Sequence, residues 1–192
     1  TQTVQIFDWT LPLRVNGEAG AIVGTLTWIP STTALPSFAL TVATLVAVAA
    51  ISIRTGARLR AILLLGLGVA ALMAGLAAIA AQPPEGRIFG VDVLGPPVIV
   101  AVGILALVQA KQSGRAATQV VLIGSVGLAA WGVMRVGVLT HPILPTVLPY
   151  ALDRLITAVV LGGAIGLIAG ITTSITLVNR AQRMGGDRHH AS

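Results

Sequence analysis

Arg135, Asp153 and Arg154 are ionisable side chains set inside or against long apolar runs, and His141 with Met134 adds two borderline or soft metal ligands close by in sequence. A charge held in hydrocarbon is costly, so such residues are either paired or functional. Arg135 lies about one turn from the end of the fourth apolar run, and Asp153 about one turn into the fifth. Antiparallel helices would bring these two to the same depth, which predicts an Arg135–Asp153 ion pair. The pair admits two roles: a clamp that fixes helix register at the interface, or part of a path for a substrate or ion. His141 and Met134 could bind copper, but two ligands do not complete a site, and an interfacial histidine is ordinarily solvated. His189 and His190 in the tail could take up metal adventitiously.

Other chemistries are poorly served. The chain has no cysteine, which removes disulfides, thiolate-held copper, iron–sulfur clusters and covalent c-type haem. No histidine stands within an apolar run to ligate a b-type haem. There is no HExxH, GxSxG, phosphate-binding glycine loop or paired-carboxylate constellation. The glycine-rich string LGGAIG, residues 161–166, lies inside a lipid-length run with no strand before it. We identify no catalytic residue and no evident cofactor beyond the copper option, and the chain reads as non-enzymatic.

The elements that must position these residues are set by composition. Of 192 residues, 55% are hydrophobic and 9% charged, too little polar surface for a soluble domain of this size and consistent with a lipid environment. Five runs approach the roughly 20 residues that a helix needs to cross a bilayer. They cover 36–53, 59–81, 97–110, 118–139 and 149–178, the third placing Pro96 and Pro97 at a helix start, where a missing N–H costs nothing. The fold class is an all-α membrane protein, a five-helix transmembrane bundle over 36–178. A short extracytoplasmic β-hairpin segment (1–35) precedes it and a cytoplasmic basic tail (179–192) follows.

Charge sets the orientation. Arg54, Arg58, Arg60, Lys111, Arg115, Arg180, Arg183 and Arg188 share one side if there are five spans; Asp8, Arg14, Glu18, Glu85, Arg87 and Asp92 fall on the other. The positive-inside rule then puts the N-terminus outside and the C-terminus in the cytoplasm of a plasma-membrane protein. The net charge of +6 is read as a topology signal meeting anionic lipid, with no role for nucleic acid. Residue 1 is Thr and not Met, so the chain is expected to be processed or to begin part-way through a longer product.

In the outer segment Val4 and Ile6, then Trp9, Leu11, Leu13 and Val15, alternate with polar or small residues. Asn16-Gly17 signals a tight turn, and Ile22, Gly24, Leu26 and Trp28 resume the period of two. A lone two-stranded ribbon is marginal in water, so an upstream domain, a partner subunit or the outer loops should complete it. Pro12 assigns the first strand to an edge or a bulge. Phe7, Trp9, Trp28 and Phe38 serve either as an interfacial aromatic belt, which suits Trp28, or as a partner-binding platform, which suits Trp9. In the fifth run Gly162, Gly166 and Gly170 form a small-residue stripe for close helix packing, and Ala70, Ala74 and Ala78 form a similar one in the second. Hydroxyls from Thr172 to Thr176 are expected to bond back onto their own helix.

The pattern Asp8-Trp9, Pro12, Arg14, Gly17, Gly24-Thr25-Leu26, Trp28 and Pro30, followed directly by apolar spans, resembles the membrane-proximal end of a group of actinobacterial membrane proteins. Their larger secreted β domain often carries histidine motifs, and their layout is similar to that of copper-resistance proteins. The resemblance covers this segment and the general layout, and implies a link to copper handling or to a copper-dependent membrane enzyme. From the residues themselves the leading expectation is an accessory or assembly subunit that packs in the bilayer with other membrane subunits. The alternative is a small transporter or channel using Arg135 and Asp153.

Overall fold

The computed structural model describes residues 4–28, 33–82, 91–141 and 146–189. Asn16 (φ 54°) and Gly17 (φ 88°) are both left-handed, the conformation a two-residue turn needs to match the twist of its strands. They join β1 (Val4–Val15) to an antiparallel β2 (Glu18–Trp28). A register shift between Gln5 and Phe7 explains why the apolar alternation of the first strand changes phase. Before it Val4 opposes Trp28; after it Phe7 opposes Leu26, Trp9 opposes Gly24 and Leu11 opposes Ile22. Opposed residues share a face, so the bulge brings Val4, Phe7, Trp9, Leu11, Leu13, Ile22, Leu26 and Trp28 onto one side. The other side carries Gln5, Asp8, Thr10, Arg14, Thr25 and Thr27, with Pro12, Ala21 and the exposed Val23 among them, and there Gln5 Nε2 and Thr25 Oγ1 each donate to Asp8 Oδ1 at 2.8 Å. Pro12 sits opposite Ala21, away from the bulge; in a two-stranded ribbon it is necessarily on an edge.

Five helices follow: α1 (Leu35–Arg54), α2 (Ala57–Ala80), α3 (Val91–Gln112), α4 (Gly114–Met134) and α5 (Tyr150–His189), with a 3-10 turn, Val136–Leu139, after α4. All five are long and apolar enough to cross a membrane. Two residues connect α1 to α2, and Ser113 alone connects α3 to α4, accepting from Ala116 N as an N-cap. We call the end where α1, α3 and α5 begin the near end, and the opposite end the far end.

α5 is the axis of the bundle. It packs on α1, α2 and α4, while α2, α3 and α4 pack on one another; α1 rests on α5 and scarcely touches α2. Leu64, Leu128, Trp131, Val160, Leu167 and Ile171 fill the centre. Small residues make the close approaches: a Cβ on Gly103 would lie 3.1 Å from Leu65 Cα, and one on Gly124 would lie 2.7 Å from Leu64 Cδ2. Large apolar side chains such as Val42, Val46, Ile62, Leu105 and Ile123 face outward.

Three spans differ from expectation. α3 begins at Val91, so 97–110 is only its later part, and Pro96 and Pro97 lie in its second turn. They withhold the N–H groups that the carbonyls of residues 92 and 93 would otherwise receive, a loss confined to the helix start. α4 starts at Gly114, drawn back by the Ser113 cap, and the segment up to Leu139 tightens into the 3-10 turn. α5 continues past Val178 to His189; Arg180, Ala181, Gln182, Arg183 and Met184 are good helix formers and no proline interrupts them, whereas propensity does not account for its passage through Gly185 and Gly186. Much of the expected tail is therefore helical.

Candidate functional site

At the near end, Arg135 caps α4 and Asp153 lies in the first turn of α5. Arg135 Nη2 donates to Asp153 Oδ1 at 3.0 Å and to Oδ2 at 3.2 Å, with 7% and 1% of the two side chains exposed. The guanidinium also lies 5.2 Å from the centroid of the Trp131 ring, which adds a cation–π attraction in a site with little water to screen it. Among the described residues, two polar atoms here lack partners: Arg135 Nε and Thr157 Oγ1, the latter one turn along α5 from Asp153.

Arg154 has a different task. Its Nε donates to Val138 O at 3.3 Å and its Nη2 to the His141 carbonyl, fastening the 3-10 turn to α5. His141 Nδ1 is 2.7 Å from Gly137 O, which makes that nitrogen the protonated donor and leaves Nε2 as the one free for a ligand. Met134 is exposed on α4. Among the described residues no group of three or more His, Cys, Asp or Glu comes together. His190, Arg87 and Glu85 lie outside the described residues, and so do residues 142–145, between His141 and the start of α5.

Phe7, Trp9 and Trp28 share the apolar face of the ribbon and are all exposed; Trp9 is 42% exposed, although its indole lies against Gly24. Every hairpin residue whose side chain is described is exposed except Leu13 and Gly24, which are half-buried. The five helices therefore do not cover this face. Phe38 is also exposed, on α1.

The glycine stripe of α5 lies on α1. A Cβ on Gly162 would collide with Thr41 O, one on Gly166 would come within 2.6 Å of Leu45 O, and one on Gly170 within 2.6 Å of Ser52 Cβ. The stripe is thus an intramolecular seam. The alanine stripe in α2 is displaced: Ala74 is buried, but Ala70 and Ala78 are only half-buried, and the fully packed row runs through Ala61, Leu64, Gly68, Ala71 and Gly75. Toward the far end of α5, Thr172, Ser174 and Thr176 do bond back to Ile168, Ile171 and Thr172 carbonyls.

Arg60 has a role that the count of charges on one side does not reveal. It is 7% exposed and continues the buried row of α2. Its Nε and Nη2 donate to Ser52 O at 2.9 and 2.6 Å, and Nη2 also to Ser174 Oγ at 3.1 Å. It thereby ties α1, α2 and α5 together where α1 and α2 scarcely touch. Its spacing of four from Leu64, on the packed face, is the signal that could have revealed it.

No family model, curated protein or solved structure matches the chain.

Proposed function

We propose that this chain is an integral membrane accessory or assembly subunit whose five helices pack in the bilayer and whose hairpin meets another membrane subunit on the extracytoplasmic side. The observation that carries the reading is the uncovered apolar face of the ribbon. Eight large apolar residues lie together on a two-stranded element that the bundle does not bury, and isolated ribbons of this kind are marginal unless completed. Both strands are edges, so a partner strand could extend the sheet through main-chain hydrogen bonds while Phe7, Trp9 and Trp28 enter an apolar surface. The excess of basic residues at the far end favours a cytoplasmic location for that end.

Purification from native membranes in mild detergent tests this. We expect a second membrane subunit to copurify with the intact chain and to be lost when Trp9→Ser and Leu11→Asp are introduced. Recovery of the unaltered chain as a lone, stable monomer would overturn it. A copper role, if the partner is a copper enzyme, falls within this reading and predicts loss of copper from that partner in the same variant.

A second reading, a small transporter or channel, draws on the buried Arg135–Asp153 pair and the Thr157 hydroxyl one turn beyond it. It requires Asp153→Asn to abolish flux in reconstituted vesicles, whereas a purely structural pair costs stability and leaves flux unchanged.

A further inference from the structure

At the far end, the C-terminal parts of α1 and α5 and the starts of α2 and α4 enclose an open cleft of about 670 Å³. That volume falls within the roughly 300–1,000 Å³ of small-molecule sites. Its polar lining contains Arg60, Arg115, Gln119, Ser174, Asn179 and Gln182, and no carboxylate among the described residues. Ile175 and Val178 add an apolar wall.

The charges here lack an obvious counterpart. Arg60 is anchored to Ser52 O and Ser174 Oγ, both neutral acceptors, and its Nη1 has no hydrogen-bond partner among the described residues. The only ion pair among the described residues is Arg135–Asp153, at the other end of the bundle. Arg115 stands in the first turn of α4, where the helix dipole disfavours a cation, and that turn has no acidic residue. The first turn of α2, which carries Arg58 and Arg60, has none either. Two guanidiniums and the start of α4 therefore border one cleft without an anion among the described residues. The amides of Gln119, Asn179 and Gln182 make no hydrogen bonds among the described residues and can donate. The continuation of α5 past Val178 is what brings Asn179 and Gln182 to this wall.

We propose that the cleft binds a phosphate group, with Arg60 and Arg115 as its cationic ligands and the side-chain amides completing the donor set. Arginine suits this task because its planar fork matches phosphate oxygens in a bidentate manner. The phosphate could belong to an anionic glycerophospholipid, whose glycerol and acyl portions would lie on Ile175 and Val178, or to a soluble phosphoester. The proposal does not depend on what the hairpin binds.

The purified full chain in neutral detergent is titrated with phosphatidylglycerol, with phosphatidylcholine and with glycerol 3-phosphate, and binding is followed by native mass spectrometry. A site that takes lipid phosphate binds phosphatidylglycerol saturably, prefers it to phosphatidylcholine and resists displacement by glycerol 3-phosphate. A site for a soluble phosphoester binds glycerol 3-phosphate directly. In either case Arg115→Gln and Gln119→Glu should each weaken binding about tenfold or more. Both positions are exposed, and both variants are expected to unfold at the parent's temperature. Arg60→Gln also releases the clasp between α1, α2 and α5, so it is not the deciding variant. Binding of neither phosphate compound, or equal binding by the parent and both exposed-site variants, overturns the proposal.

Discussion

Removing the carboxylate of Asp153 leaves the Arg135 guanidinium in a site where only 7% of it reaches solvent, with Nε already unpartnered among the described residues. A buried charge stripped of its partner costs about 3–5 kcal/mol, whereas replacing both partners by apolar groups of similar volume is often neutral or better. Asp153→Asn should therefore lower the unfolding midpoint in detergent strongly. Arg135→Met combined with Asp153→Leu should restore most of the loss, and a double-mutant cycle measures the coupling directly. A double variant as unstable as the single one would mean that the pair has no such coupling. The pair was legible in the sequence because each residue lies one turn from the end of an apolar run, and antiparallel packing then leaves little choice of depth. Arg60 was not legible in the same way. It lies in RTGARLR among other arginines, and charge counting treats all of them alike; only its helical phase with Leu64 and Ala71 distinguishes a buried side chain from its exposed neighbours.

Among the helices, α5 and α1 approach through backbone contacts that side chains would prevent. Gly166→Val should separate the two, since even its Cβ would meet Leu45 O at 2.6 Å and Val48 Cβ at 3.0 Å. Overpacking of a tight site costs about 1–3 kcal/mol, and α1, held mainly by α5, should become the first helix cleaved in limited proteolysis. Gly66→Ala in α2 is the matched control: nothing lies within 4 Å of its added Cβ, and the change should be neutral or stabilise by up to about 1 kcal/mol. Equal susceptibility of the two variants would argue against the seam. Spacing of four among Gly162, Gly166 and Gly170 made this stripe visible in sequence, but the same spacing in Ala70, Ala74 and Ala78 marked a partly exposed face. In helices apolar on every side, periodicity does not say which face is packed. The ends of α3 and α5 were hidden for a related reason. Hydropathy measures where a run is apolar, whereas helix continues wherever backbone hydrogen bonds can be made, through two prolines in the second turn of α3 and through the polar end of α5.

At the scale of the whole molecule, the chain is asymmetric. One end gathers Arg54, Arg58, Arg60, Lys111, Arg115 and Arg180; the other holds the neutralised Arg135–Asp153 pair and the start of the bundle next to the hairpin in sequence. Positive loops are retained on the cytoplasmic side during insertion, so this asymmetry supports an orientation with the far end inside and the hairpin outside. Because the chain contains no cysteine, a single introduced thiol reports its own location. Thr10→Cys lies on the polar face of the ribbon and Gln112→Cys at the end of α3; both positions are exposed. In intact cells a membrane-impermeant maleimide should label Thr10→Cys and spare Gln112→Cys until the membrane is permeabilised. The reverse pattern would invert the orientation and place the ribbon in the cytoplasm. Labelling of both in intact cells would mean that the two positions lie on the same side, which an odd number of crossings between them does not allow. A partner that covers the apolar face should leave Thr10→Cys, on the opposite face, open to reagent. Protection at that position would then mean that the partner wraps the ribbon rather than capping one side of it.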